Sequence, residues 1–310
     1  LVFTLDWPVR IIGAGRTNVL FRCHNSTSAC PSSFFALRHA DALVANLGVS
    51  DPEYHMYTQS GTFDVTSGTV SNVLADAVGG WDAGVVHLHG TDAHVVDCEI
   101  RNCKVWANGR VVRVDAGLAE RFFIHDNYTD IYQNLTGFGL LLNGADATAR
   151  DCLIAQNNGG GGAAANGTGA RIDAGTLENC TIVGNFNAAG TNAGVYVATD
   201  AARMVNCISV SNLVAVADSN VGGVVTNVSY CCAPELQDGV DGNISADPKF
   251  RTIDGFAYGF KPDSPCADGG RNADWMRTAL DFVGQPRLRG RVDMGCFESQ
   301  RPRGFVIFIR

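Results

Sequence analysis

Five segments of this chain repeat one another, and a repeat of this length leaves few folds open. Asp97-Cys98-Glu99-Ile100-Arg101-Asn102 is followed by Phe122-Phe123-Ile124-His125-Asp126-Asn127 and Asp151-Cys152-Leu153-Ile154-Ala155-Gln156-Asn157. Asn179-Cys180-Thr181-Ile182-Val183-Gly184-Asn185 and Asn206-Cys207-Ile208-Ser209-Val210-Ser211-Asn212 complete the set. The closing Asn residues stand 25, 30, 28 and 27 positions apart, and the first unit is one residue tighter between Cys and Asn. Each unit also has an earlier β run, such as Gly84-Val85-Val86-His87-Leu88-His89 or Gly109-Arg110-Val111-Val112-Arg113-Val114. Gly and Asn turns separate the runs. Such a unit is too short for a crossover with a full helix, and too irregular for a leucine-rich repeat.

Coiling these units gives every strand a parallel neighbour above and below, and each coil closes part of one core. The expected fold is therefore all-β, a right-handed parallel β-helix with an irregular C-terminal capping segment. Cys98, Cys152, Cys180 and Cys207 then form an inward ladder of free thiols, with Phe122 as the remaining rung. The closing Asn residues form a turn ladder whose amides bond along the axis. Val9–Gly15, Ala42–Leu47 and Ser67–Val73 read as earlier coils. Gly13-x-Gly15 lacks the third Gly and the following helix of a dinucleotide fingerprint.

Composition agrees with an exported β protein. Hydrophobic residues make up 46% and charged ones 17% of 310 residues, against a usual charged share of about a quarter. A net charge of −8, with Lys104, Lys249 and Lys261 as the only lysines, argues against a general nucleic-acid binder. No apolar run reaches the roughly 18 residues of a spanning helix, and no signal peptide is visible. The chain opens inside a strand-like run, Leu1–Leu5, as expected of a processed or truncated start. Eleven Cys is many for a reducing cytosol and points to an extracellular or cell-surface location.

The rhythm breaks after Val228, dividing the chain into coils (1–228), a capping segment (229–298) and an apolar terminal strand (299–310). The segment contains Tyr230-Cys231-Cys232-Ala233-Pro234 and Gly242-Asn243-Ile244-Ser245-Ala246-Asp247-Pro248-Lys249-Phe250. Lys261–Gly270, Asp281-Phe282-Val283-Gly284-Gln285-Pro286-Arg287 and Val292-Asp293-Met294-Gly295-Cys296-Phe297-Glu298 follow. These motifs resemble the choice-of-anchor Q module of bacterial surface proteins, whose β-helix repeats belong broadly with the pectate-lyase-like superfamily. The resemblance implies export and a solenoid, without implying one activity. Physically, a solenoid end exposes strand edges and core and needs a cover. A disulfide between Cys231 and Cys266 would pin that cover and close a loop of 35 residues, stabilising by roughly 3–4 kcal/mol. Cys23 and Cys30 form a weaker candidate pair. Arg287, Arg289, Arg291, Arg301 and Arg303 read as a solvated surface run. Gly304–Arg310 is apolar enough to pack back as a strand or to add to a neighbouring chain.

Alternation along the first run of each unit sends Val86, Leu88, Val112, Val114, Leu142, Ile172 and Val197 inward. It sends His87, His89, Arg113, Asp115, Asn143, Arg171, Asp173 and Tyr196 outward as one polar stripe. Such a stripe suits an acidic glycan groove, and in a lyase Arg113 and Arg171 would neutralise a uronate while His87, His89 or Tyr196 moved protons. An exposed β face must in any case be polar. A glycosidase pair is not apparent, since Asp115 and Asp173 fall about two coils apart. His94 lies past a turn from His87 and His89, so no metal site is assigned. Asp238, Asp241 and Asn243 offer oxygen ligands for Ca²⁺ or form an ordinary Asp/Gly turn. Two functions follow: an exported structural or adhesive solenoid, assembling end to end or holding surface polysaccharide, or a polysaccharide-binding or lyase-like enzyme.

Overall fold

The computed structural model describes residues 3–22, 33–50, 62–80, 84–106, 109–129, 136–160, 166–188, 190–215 and 217–299. It is a parallel β-solenoid whose two largest stacked sheets, among the described residues, carry most of the coils. The long sheet runs in order through Phe3–Leu5, Phe35–Ala45, Phe63–Ser71, Val86–Val96, Val112–Glu120, Leu140–Arg150, Ala170–Glu178, Val195–Val197 and Val221–Gly223. The short sheet stacks eight three-residue strands, from Leu20–Arg22 to Ile208–Val210. All seven residues expected to point inward from the first runs are buried. The longer strands fold over a corner near their middle, where register shifts. Gly117 sits at one corner with φ 95°, and a Cβ there would meet the Ala93 carbonyl at 2.5 Å.

Each coil turns sharply at residues in the left-handed region. Asn46, Asn72, Asp97, Arg121, Asp151, Asn179, Asn206 and Tyr230 occupy the first such corner, with φ of 50–56°. Asn and Asp tolerate this conformation best, which explains their recurrence. The next residue then faces the core: Leu47, Val73, Cys98, Phe122, Cys152, Cys180, Cys207 and Cys231 are all buried. The sulfurs do more than fill space. The backbone N–H of Cys152 donates to Cys180 Sγ at 3.4 Å, that of Cys180 to Cys207 Sγ at 3.4 Å, and that of Cys207 to Cys231 Sγ at 3.3 Å.

The Asn ladder is present with one rung changed. Nδ2 of Asn127, Asn157 and Asn185 each donates to Oδ1 of the next Asn at 2.9 Å, ending at Asn212, which bonds Asn220 at 3.1 Å. Asn102 is not in it. The shorter first unit shifts Asn102 onto the second left-handed corner, with Asp126, Gln156 and Ser211. The rung belongs to Cys103, whose N–H donates to Asn127 Oδ1 at 2.9 Å.

The expected Cys231–Cys266 disulfide does not form, and both thiols are free. Neighbouring residues in extended chain point to opposite sides. Cys231 faces the solenoid core as the last sulfur rung, while Cys232 faces the other way and lies in a second core with Cys266. The Cys232 thiol, with burial, pushes the Cys266 thiol well above its ordinary pKa. Cys23, Cys30 and residues 300–310 lie outside the described residues.

The segment after Val228 has two parts. Residues 229–246 pass over the solenoid end: Cys232 bridges Ile208 on one side and Ile244 on the other, and Ala233 and Leu236 close the core. Residues 247–299 then turn back along the flank and cover the outer face of the short sheet. There Phe260, Cys266, Met294, Cys296 and Phe297 pack on Leu153, Ala155, Val183, Ile208 and Val210. The flank segment grips three successive first corners. Arg287 Nε lies 3.2 Å from Asp151 Oδ1, Asn179 Nδ2 donates to the Asp293 carbonyl at 3.2 Å, and Arg271 N–H donates to Asn206 Oδ1 at 2.7 Å. Arg287, read from sequence as part of a solvated run, is fully buried. It also donates to the carbonyls of Asp293 and Gly295.

Arg287 is the buried cation among Asp151, Asp281, Asp293 and Glu298. Burial pushes Asp151 up to about 7 and Glu298 up to about 8, and raises Asp281 and Asp293; Arg287 offsets only part of this. A carboxyl that holds its proton more tightly when folded loses stabilising power as pH climbs from its unfolded value, about 4, to its folded value. His89, whose pKa is also raised, acts in the same direction above its unfolded value. Urea midpoints are therefore expected to fall between about pH 5 and about pH 8.5. A flat or rising profile would contradict the assignment.

Candidate functional site

The parallel register of the long sheet lines up one outward column: Asp64, His87, Arg113, Leu141, Arg171 and Tyr196. His89, Asp115, Asn143 and Asp173 stand beside it, two residues further along their strands. Every residue expected in the stripe is at least partly exposed on this face. Two residues escaped the sequence reading. Asp64 belongs to an earlier coil, outside the five units from which the stripe was read. Leu141 is buried and interrupts the polar column, leaving Arg113 and Arg171 two strands apart, roughly 9.6 Å by strand spacing.

The polar groups bond chiefly to each other. Asp115 is the hub: His87 Nε2 lies 3.0 Å from Oδ2, while Arg113 Nε and Asn143 Nδ2 donate to Oδ1 at 2.9 Å and 3.0 Å. Burial opposes its charge, but these three hydrogen bonds outweigh that and hold the carboxyl far below the usual carboxylate range. Arg171 Nε donates to Asp173 Oδ1 at 2.6 Å, and its guanidinium lies 5.2 Å from the Tyr196 ring centroid. His89 Nε2 is 2.8 Å from Asp64 Oδ1 and 3.1 Å from Thr66 Oγ1. The hydrogen bond to Asp64 raises the His89 pKa, favouring its protonated form. The His87 and His89 rings stack with centroids 4.8 Å apart.

The other sequence candidates separate from this face. His94 pairs with Glu120 at 3.2 Å on the far side of the corner. Asn243 is buried, accepting from the Cys231 N–H at 2.9 Å and donating to the Val228 carbonyl at 2.9 Å. Asp238 Oδ1 accepts from the N–H and hydroxyl of Ser245. Asp238 and Asn243 are thus engaged in hydrogen bonds of the turn itself. A groove between coil and flank segment is lined by Arg16, Asp97, Glu99, Arg121, Phe256 and Phe282. Its charges are also paired, Arg16 with Glu99 at 3.0 Å and Arg121 with Asp97 at 2.7 Å.

Among the described residues, no helix is long and apolar enough to cross a membrane. No family model, curated protein or solved structure matches the chain.

Proposed function

We propose that the protein is a non-catalytic, exported β-solenoid that serves a structural or adhesive role at the cell surface. One observation carries the non-catalytic part: the charged residues of the stripe are already matched within the chain. Arg113 and Arg171 each hold an Asp carboxylate of this chain, the kind of partner that a lyase would draw from a uronate. A pre-ordered row of such groups suits contact with surface polysaccharide better than proton transfer. Self-association, with a strand of one copy adding to another, is the alternative form of that role.

Polygalacturonate, alginate and hyaluronan can be tested together by absorbance at 235 nm and by affinity electrophoresis. The expected result is no unsaturated product, with retardation by at least one polymer or concentration-dependent growth in light scattering. Product formation would overturn the non-catalytic reading. Neither retardation nor growth would overturn the adhesive one.

A further inference from the structure

We propose that Asp64, His87 and His89 form a binding site for a divalent transition-metal ion of the zinc type. Among the described residues, one carboxylate oxygen and two imidazole nitrogens here lie within 4.8 Å of one another. The separations can be compared with a real site. Ligands about 2.0–2.1 Å from a tetrahedral zinc lie roughly 3.4 Å apart. His89 Nε2 is 2.8 Å from Asp64 Oδ1, and His87 Nδ1 is 3.8 Å from it. These two distances each differ by about half an ångström from the tetrahedral spacing, and the His87 and His89 nitrogens, within 4.8 Å of each other, must be drawn to the same spacing by side-chain rotation.

The surroundings favour the same reading. His87 uses its other nitrogen, Nε2, on Asp115 at 3.0 Å, and Asp115 is fixed in turn by Arg113 and Asn143. A carboxylate behind a ligating imidazole orients the ring and strengthens it as a donor. Two imidazoles with one carboxylate suit zinc, cobalt, nickel or copper and are a poor match for Ca²⁺, which takes six to eight oxygens. Three protein ligands on an outward face leave a fourth position for water or a donor from outside the chain. The proposal goes beyond the scaffold function and does not rest on it, because its test reads metal binding alone.

The full chain, stripped with a chelator, would be titrated with Zn²⁺ in a calorimeter and with Co²⁺ in a spectrophotometer. One equivalent of each is expected, with cobalt d–d bands and no thiolate-to-cobalt charge transfer; Ca²⁺ should give no stoichiometric binding. Asp64→Ala and His89→Ala should each weaken Zn²⁺ binding at least tenfold. Asp115→Asn should weaken it by about 10–100-fold through loss of ring orientation, and His94→Ala should leave it unchanged. Copper electron paramagnetic resonance on the unaltered chain should show imidazole nitrogens, which keeps the test independent of variant folding. Absence of stoichiometric Zn²⁺ or Co²⁺, a thiolate signature, or full affinity in Asp64→Ala and His89→Ala would each overturn the proposal.

Discussion

Arg287→Ala is expected to loosen residues 247–299 from the flank and to cost about 3–5 kcal/mol. Removing the buried cation forces the carboxyls around it, Asp151 first, to take up a proton or sit uncompensated, and Asp151 has no exposed surface. The guanidinium also donates to two carbonyls of the flank segment, at Asp293 and Gly295, so those lose a buried donor as well. Chemical denaturation should show a large fall in midpoint, and limited proteolysis should cut between 247 and 299 before it cuts the coils. Arg289→Ala, at an exposed position two residues on, should change neither. Equal effects from the two substitutions would show that the buried cation does not hold the segment down.

A comparable loss is expected from Asn185→Ala. Asn185 Oδ1 accepts from Asn157 N–H at 3.1 Å and from Asn157 Nδ2 at 2.9 Å, while Asn185 Nδ2 donates to Asn212 Oδ1 at 2.9 Å and to the Ile154 carbonyl at 3.1 Å. Truncation leaves at least two donors without acceptors in a dry interior. At roughly 1–3 kcal/mol for each buried group left unpaired, the sum is about 2–6 kcal/mol. Asn102→Ala is the contrasting case. Asn102 closes its repeat unit in the same way, yet it sits at an exposed corner and bonds Asp76 at 2.9 Å. Its loss should cost under about 1 kcal/mol, as for most surface changes. Thermal or urea unfolding of the two variants side by side tests whether ladder membership, and not residue type, sets the cost.

These two asparagines also show how far the sequence could be read. The solenoid, its inward valines and leucines, its sulfur column and its outward stripe all follow from a repeat with two-residue alternation, because stacking puts like over like. What alternation cannot settle is a one-residue slip, and the tighter Cys98 unit hides one. The same limit explains the disulfide that does not form: Cys231 and Cys232 are neighbours, and only the end of the solenoid decides which faces Cys266. Arg287 looked like surface because charge runs usually are, and the acids that surround it come from three separate stretches of chain. Asp64 was invisible for another reason. It stands 23 residues before His87, and only the pairing of Asp64 with His87 across the sheet brings it into reach.

A stack of coils with purely local contacts can fray one layer at a time from its free end. The flank segment alters that behaviour in this molecule. Gln156 with Tyr258, Asn179 with Asp293 and Thr181 with Cys296 join positions 102, 114 and 115 residues apart. The later coils are thereby laced to one another from outside, so that peeling a single layer also means undoing its neighbours. Resistance to tugging, to proteases and to partial melting then belongs to the laced stretch as a block, while the earlier coils are tied across layers by the Arg16–Glu99 pair at 3.0 Å.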